Sequence, residues 1–241
     1  APFNANMEPK FSPDGRHVAY RAMKGELWYL VVDETVNPGT RTRYRSHEFS
    51  GDSAVMAYID IVDEKTGTGR LVVSDISFKK ERTVEAGVND MVLNADRTAV
   101  AAISRNATGR ERVIQFTFAK PDAVTRGAEY DKIHGLGFAP SGTALAYFGE
   151  RQGRMYGVFN GQEEILPEGA TPGIPVINQA GKSVGVLLSA NDFFYLYQMF
   201  GNRGRVGNLY DEAEGLSYSS DGAKSAFAAR KGKSWCVVVN G

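Results

Sequence analysis

The stretch Phe11-Ser12-Pro13-Asp14-Gly15-Arg16-His17-Val18-Ala19-Tyr20 sets a compact polar turn directly before an apolar strand. Asp-Gly suits such a turn, because glycine accepts positive φ and a short acceptor side chain bonds nearby backbone N–H groups. Related turns return at Ser50-Gly51-Asp52-Ser53, Asn94-Ala95-Asp96-Arg97, Ala139-Pro140-Ser141-Gly142, Gln179-Ala180-Gly181-Lys182 and Ser219-Ser220-Asp221-Gly222. Their third positions are spaced by 38, 44, 45, 40 and 40 residues. A mean of about 41 residues is the length of one four-stranded propeller blade.

Each turn leads into an apolar strand with small residues at its middle, among them Val18-Ala19-Tyr20, Ala144-Leu145-Ala146-Tyr147 and Val184-Gly185-Val186. Small residues belong where sheets approach face to face. A third strand is predicted in every copy, over 27–32, 70–74, 112–118, 155–160, 193–200 and 235–240. Helical periodicity is absent, and many short strands at this spacing favour a propeller over a sandwich or barrel. The reading is an all-β, six-bladed β-propeller of four-stranded antiparallel blades. It forms one domain over 1–241, with repeats at 8–47, 48–88, 89–132, 133–173, 174–212 and 213–241 plus 1–7. The sixth repeat lacks a fourth strand, so residues 1–7 are expected to complete that blade, with 1–6 paired weakly to it and the termini close together; an open edge would invite pairing with other chains.

The segment from Phe11 to Tyr20 resembles the signature of TolB-like, WD-repeat-like propeller repeats. Ala139 to Tyr147, and Ser219 to Gly222 with the ending Val237-Val238-Val239-Asn240-Gly241, resemble it less closely. The second, third and fifth repeats depart from the pattern and are placed by spacing. The Gly-His and Trp-Asp dipeptides of eukaryotic WD repeats are missing. The resemblance implies the fold; function must come from the site.

With 28 basic and 28 acidic side chains, the chain has no overall field to draw nucleic acid or an anionic membrane. No run approaches the roughly 20 apolar residues of a membrane helix. Cys236 is the only cysteine, so an intrachain disulfide is impossible, and its neighbours Trp235 and Val237 suggest a core thiol. The opening at Ala1 suits a processed exported protein, which slightly favours a periplasmic or extracellular location over the cytoplasm. Asn106-Ala107-Thr108 is an N-glycosylation sequon, meaningful only in a eukaryotic source.

Candidate chemistry is sparse. His17, His47 and His134 lack metal-ligand spacing, and no Gly-x-Ser-x-Gly elbow occurs. Residues six or seven before each turn should enter the innermost strand near a central channel: Glu8, Asp90, His134 and Glu214, with Asn89 and Glu48 beside them. Converging carboxylates would suit calcium or magnesium, although a solvated polar rim explains them more simply. On an extended strand Arg41, Arg43, Arg45 and His47 would face one way, to hold an acidic partner or to protect a blade edge from pairing. The loop 201–208 reads as a glycine-rich hairpin rather than a phosphate cradle. Phe193, Phe194, Tyr195, Tyr197 and Phe200 should pack between blades, with Tyr195 or Tyr197 the anchor if any faces outward. The expected function is a non-catalytic binding or scaffold propeller engaging another protein or its own copies, with a small ligand possible and no cofactor required. The alternative is a lyase or hydrolase using His134 with Asp90 or Glu214.

Overall fold

A computed structural model describes residues 3–39, 44–200 and 203–240. Among them every regular element is a strand, and no helix is long and apolar enough to cross a membrane. The first sheet holds β1 (Ala5–Phe11), β2 (Val18–Lys24), β3 (Leu27–Val32) and β4 (Thr35–Val36), paired in that order. A seven-stranded sheet follows, built from β5 (Tyr44–Phe49), β6 (Val55–Asp63), β7 (Thr68–Asp75), β8 (Arg82–Leu93), β9 (Ala99–Arg105), β10 (Glu111–Thr117) and β11 (Lys120–Tyr130). Next come β12 (Lys132–Phe138), β13 (Leu145–Arg151), β14 (Arg154–Phe159) and β15 (Gln162–Ile165). A five-stranded sheet contains β16 (Thr171–Pro172), β17 (Val176–Ile177), β18 (Val184–Ala190), β19 (Phe193–Met199) and β20 (Gly204–Tyr210). The last sheet has three strands, β21 (Glu212–Tyr218), β22 (Ser225–Lys231) and β23 (Ser234–Val239).

The sequence period survives as a repeated backbone bond. Ser12, Ser50, Asn94, Ala139, Asn178 and Ser219 each donate their N–H across the turn to the carbonyl of His17, Val55, Ala99, Ala144, Ser183 and Lys224, at 2.8–3.1 Å. In three turns a serine hydroxyl holds the aspartate two residues on, at 2.6 Å: Ser12–Asp14, Ser50–Asp52 and Ser219–Asp221. These bonds hold the Asp14, Asp52 and Asp221 carboxyls below their ordinary range, with backbone N–H donors adding to the effect.

Five sheets stand where the period implies six separate blades. The difference lies in β8, whose first half pairs with β7 and whose second half pairs with β9. One strand carries the chain from one repeat to the next, with register shifts on either side of Gly87, at Ala86/Val88 against β7 and at Val88/Asp90 against β9. Gly87, at φ +71°, permits the bend between them. The N-terminal expectation also changes. Ala5 and Asn6 pair with Met23 and Ala22, so the segment is the opening strand of the first sheet and not the missing strand of the last. Its ladder bonds go to β2, leading straight into the first turn; residues 1 and 2 lie outside the described residues.

The chain divides into two compact units, 1–127 and 128–241. In the first, Leu30, Tyr44, Phe49, Met56 and Tyr58 form one core, and Ile59, Leu71, Val100, Ile114 and Phe116 another. In the second, Phe148, Val186, Leu188, Tyr195 and Met199 are packed together, and Leu196, Tyr210 and Phe227 fill the last sheet's inner side. Close sheet approach explains the small mid-strand residues: a Cβ on Gly185 would stand 2.4 Å from the Tyr218 hydroxyl of the next sheet.

Candidate functional site

The predicted site positions coincide with a feature the sequence does not announce. The first strands β1, β5, β8, β12 and β21 each carry a bulge, at 7/10, 44/47, 88/90, 134/137 and 214/217. In the five-stranded sheet the first strand breaks in two around Gly173, Ile174 and Pro175. A bulge releases backbone groups from the ladder and re-aims side chains, so each repeat offers the same irregular spot.

In the first unit arginines fill these spots. Glu8 sits in its bulge at φ +51° and pairs with Arg21. Arg21 also donates to the carbonyls of Tyr44 and Arg45 in the next bulge. Arg45 in turn donates to Gly67 O at 3.2 Å and to Asn89 O, in the third bulge, at 2.5 Å. The Asn89 amide reaches Glu111 at 3.4 Å, and Glu111, 3% exposed, takes two bonds from Arg105 at 3.2 and 2.6 Å. Glu8, Arg21 and Arg45 line a cavity of about 440 Å³ with Ile61 and Glu64. Glu48 stands apart, held by Lys10 at 2.5 Å and Arg97 at 3.0 Å. Asp90 is exposed and accepts only from its own strand, at Met91 N. The carboxylates are therefore committed to separate partners.

Of the expected basic face, Arg45 and His47 are the members among the described residues, and they do not share an exposure. Arg45 is exposed while His47 is wholly buried, because the register shift between Tyr44 and His47 breaks the alternation. Arg41 and Arg43 lie outside the described residues. Neither ring nitrogen of His47 makes a hydrogen bond of normal geometry. Burial, then the charges of Lys10 and Arg21, push its pKa down to about 4.

In the second unit glycine and proline take the arginines' place. His134 is half-buried opposite Phe148, beside Gly135 at φ +60°, where a Cβ would lie 2.8 Å from the Pro175 ring. Glu214 is exposed on β21 and borders a largely apolar groove of about 490 Å³ with Pro172, Ile174, Leu187, Phe194 and Leu216. Among the described residues no three His, Cys, Asp or Glu side chains gather as a metal site would require.

The aromatic strand is mostly internal: Tyr195 is buried, Tyr197 and Phe200 pack against the core, and Phe193 is the exposed member. Of the loop predicted at 201–208, residues 204–208 belong to β20, where Arg205 pairs with Tyr197 of β19, and 201 and 202 lie outside the described residues. Cys236 is exposed rather than in the core. It lies on β23, beyond which no strand of the described residues pairs, and Trp235, Val237 and Val239 on the same strand are 50, 75 and 55% exposed. An alternating apolar segment reads the same whether or not another layer covers it.

Neither a family model nor a curated protein matches the sequence. Solved structures do. The propeller domain of the Trilobed protease from Pyrococcus furiosus superposes with a TM-score of 0.55 at 12% identity, covering 99% of this chain and 83% of that one. The fold is a β-propeller. An oligogalacturonate lyase in complex with manganese matches this propeller at a TM-score of 0.52 and 15% identity, over 92% of this chain and 69% of the lyase. TolB from Acinetobacter baumannii is a looser likeness, at 0.47 and 15%, over 97% of this chain. The propeller spans 60% of that TolB's length. The neighbours above a TM-score of 0.5 are a protease's propeller domain and a lyase at 12 and 15% identity, a likeness of fold alone.

Proposed function

We propose that this chain is a non-catalytic binding propeller, one domain of six blades, whose partner is another protein. The observation that carries the reading is the row of Trp235, Val237 and Val239 on β23, 50, 75 and 55% exposed, with no strand of the described residues paired beyond it. An edge of this kind offers main-chain bonds to an incoming strand and an apolar row to its side chains. Counting the two halves of β8 separately gives six strand groups among the described residues, the last of them with three strands. The engaged state of Glu8 and Glu48 favours binding over acid–base work at the bulges. The same proposal places the protein in the periplasm or outside the cell, which fractionation of its source cells checks.

The test is made on the natural full-length protein, crosslinked in its own cells. Trp235→Ser with Val237→Thr should lower recovery of a defined crosslinked partner at least tenfold, since a buried aromatic anchor contributes about 2 kcal/mol or more. Undiminished recovery, or a protein with no partner at all, would defeat the reading.

A further inference from the structure

The sheet of β12–β15 and the last sheet, both in the second unit, repeat one set of bonds. Asp131 donates its N–H to Glu150 O at 2.7 Å and accepts from Gln152 N at 2.8 Å; Asp211 does the same with Arg230 O at 2.8 Å and Gly232 N at 2.6 Å. Asn160 Oδ1 accepts from Leu145 N at 3.0 Å, and Asn240 Oδ1 from Ser225 N at 3.1 Å. Tyr130 stands edge to face with Tyr147 at 6.1 Å between ring centres, as Tyr210 does with Phe227 at 5.7 Å. One element has no counterpart: β15 pairs with β14, whereas no strand of the described residues pairs beyond β23.

The fourth strand of the earlier sheet brings a carboxylate to a fixed place. Glu163, in register with Val158, accepts from the Tyr130 hydroxyl at 2.6 Å and from Arg151 Nη2 at 2.8 Å. Tyr210 and Lys231 hold the matching places in the last sheet. Among the described residues neither the Tyr210 hydroxyl nor the Lys231 ammonium has a hydrogen-bond or ionic partner. The main chain is set for a strand as well. Asn240 N donates to Ser225 O at 2.9 Å, so antiparallel alternation turns Cys236 and Val238 toward β22 and leaves the N–H and C=O groups of Trp235, Val237 and Val239 pointing away from it.

We propose that β23 takes an extended segment of a partner protein as an antiparallel fourth strand, in the register that β15 keeps on β14, with a carboxylate opposite Val238 held by Lys231 and Tyr210. The residues flanking that carboxylate fall opposite Val237 and Val239 and share their exposed face, where apolar side chains fit. The segment recognised therefore reads apolar, acidic, apolar. This rests on the protein-binding reading and adds what the partner presents. Acetyl-Thr-Val-Glu-Val-Thr-amide is the probe, with Gln for Glu in its neutral counterpart, titrated into the natural full-length protein and followed by backbone amide shifts. The Glu peptide should saturate, move the amides of residues 235, 237 and 239, and bind more tightly than the Gln peptide by about threefold, the scale of one exposed ion pair. Lys231→Met should abolish that preference without changing the affinity of the Gln peptide. Lys182→Met, on an exposed turn of the neighbouring sheet, should change neither. No saturation, equal affinity of the two peptides, or a preference kept in Lys231→Met would each overturn the assignment. So would amides at 235, 237 and 239 protected from exchange before any peptide is added, because the edge would then belong to the chain itself or to a second copy. A silent peptide titration beside a crosslinked partner lost in Trp235→Ser with Val237→Thr would sink this inference alone and leave the protein-binding reading standing.

Discussion

The bulges of the two units meet the same backbone problem by different means. In the first unit guanidinium groups satisfy the freed carbonyls, running from Arg21 to the second bulge and from Arg45 to the third. In the second unit Gly135, Gly215 and the Gly173–Pro175 break relieve it through backbone geometry, and the surface left behind is apolar. A charge-braced bulge answers to pH and to loss of a side chain. A glycine-relieved one answers to added volume.

The largest expected contrast comes from acid. His47 is neutral in the folded first unit with a pKa near 4, against 6.5 for the free side chain. A depressed histidine pKa means the unfolded chain binds the proton more readily between those values. Stability contributed here is complete above pH 6.5 and falls as pH drops toward 4, by on the order of 3 kcal/mol. Hydrogen exchange should show the loss in the first unit, throughout residues 44–118, and His47→Gln should flatten it. Uniform acid loss across both units would erase the contrast.

Gly185→Val probes the other side. The added Cβ meets Tyr218 and Leu216, so overpacking should cost about 2–3 kcal/mol by denaturant unfolding. A neutral result would mean the sheets have room to separate. Arg21→Ala leaves Glu8 and the second bulge's carbonyls without their donor, for a loss of about 2 kcal/mol, because the guanidinium is only 12% exposed. Thermal unfolding in high salt would show whether that bracing is Coulombic: a wild-type melting temperature unmoved by salt would point to the directed hydrogen bonds alone.

The smallest effect belongs to the turn carboxylates. Asp14, Asp52 and Asp221 have lowered folded pKa values, so each contributes stability that is present above the unfolded value of 3.8 and lost as pH falls below it. Because these turns occur in both units, Asp52→Asn and Asp221→Asn should each remove a small part of the acid sensitivity below pH 3.8. A response confined to one unit would show that the turns are not equivalent.

These differences also explain what could be read in advance. The turns were legible because Ser12 and Asp14, or Ser219 and Asp221, act within a few residues of each other. The strands between them followed from the same local chemistry. The bulges were not legible as bulges, since Glu8, Arg45 and Asp90 share no residue type, and only Gly87, Gly135 and Gly215 carry a backbone signal. Sequence spacing did locate the right spots, yet it gave no hint that Glu8 and Arg21, or Arg45 and Asn89, would meet across strands. The exposure of Cys236 was hidden for a related reason: it depends on what lies beyond β23, not on β23 itself. A polar cavity lined by Asp60 draws on five separate segments, at 37–39, 44, 58–60, 70–72 and 81–83, none with a motif.

The strand β8 gives the second and third repeats a common fate. Because one uninterrupted segment serves as the last strand of one and the first of the next, neither can melt while the other keeps its full ladder. Residues 44–118 should therefore open as one cooperative block, with amides throughout sharing the same slow exchange. A protease cut after Gly87 would damage two repeats at once, where a cut in the Gly25 turn would injure only one.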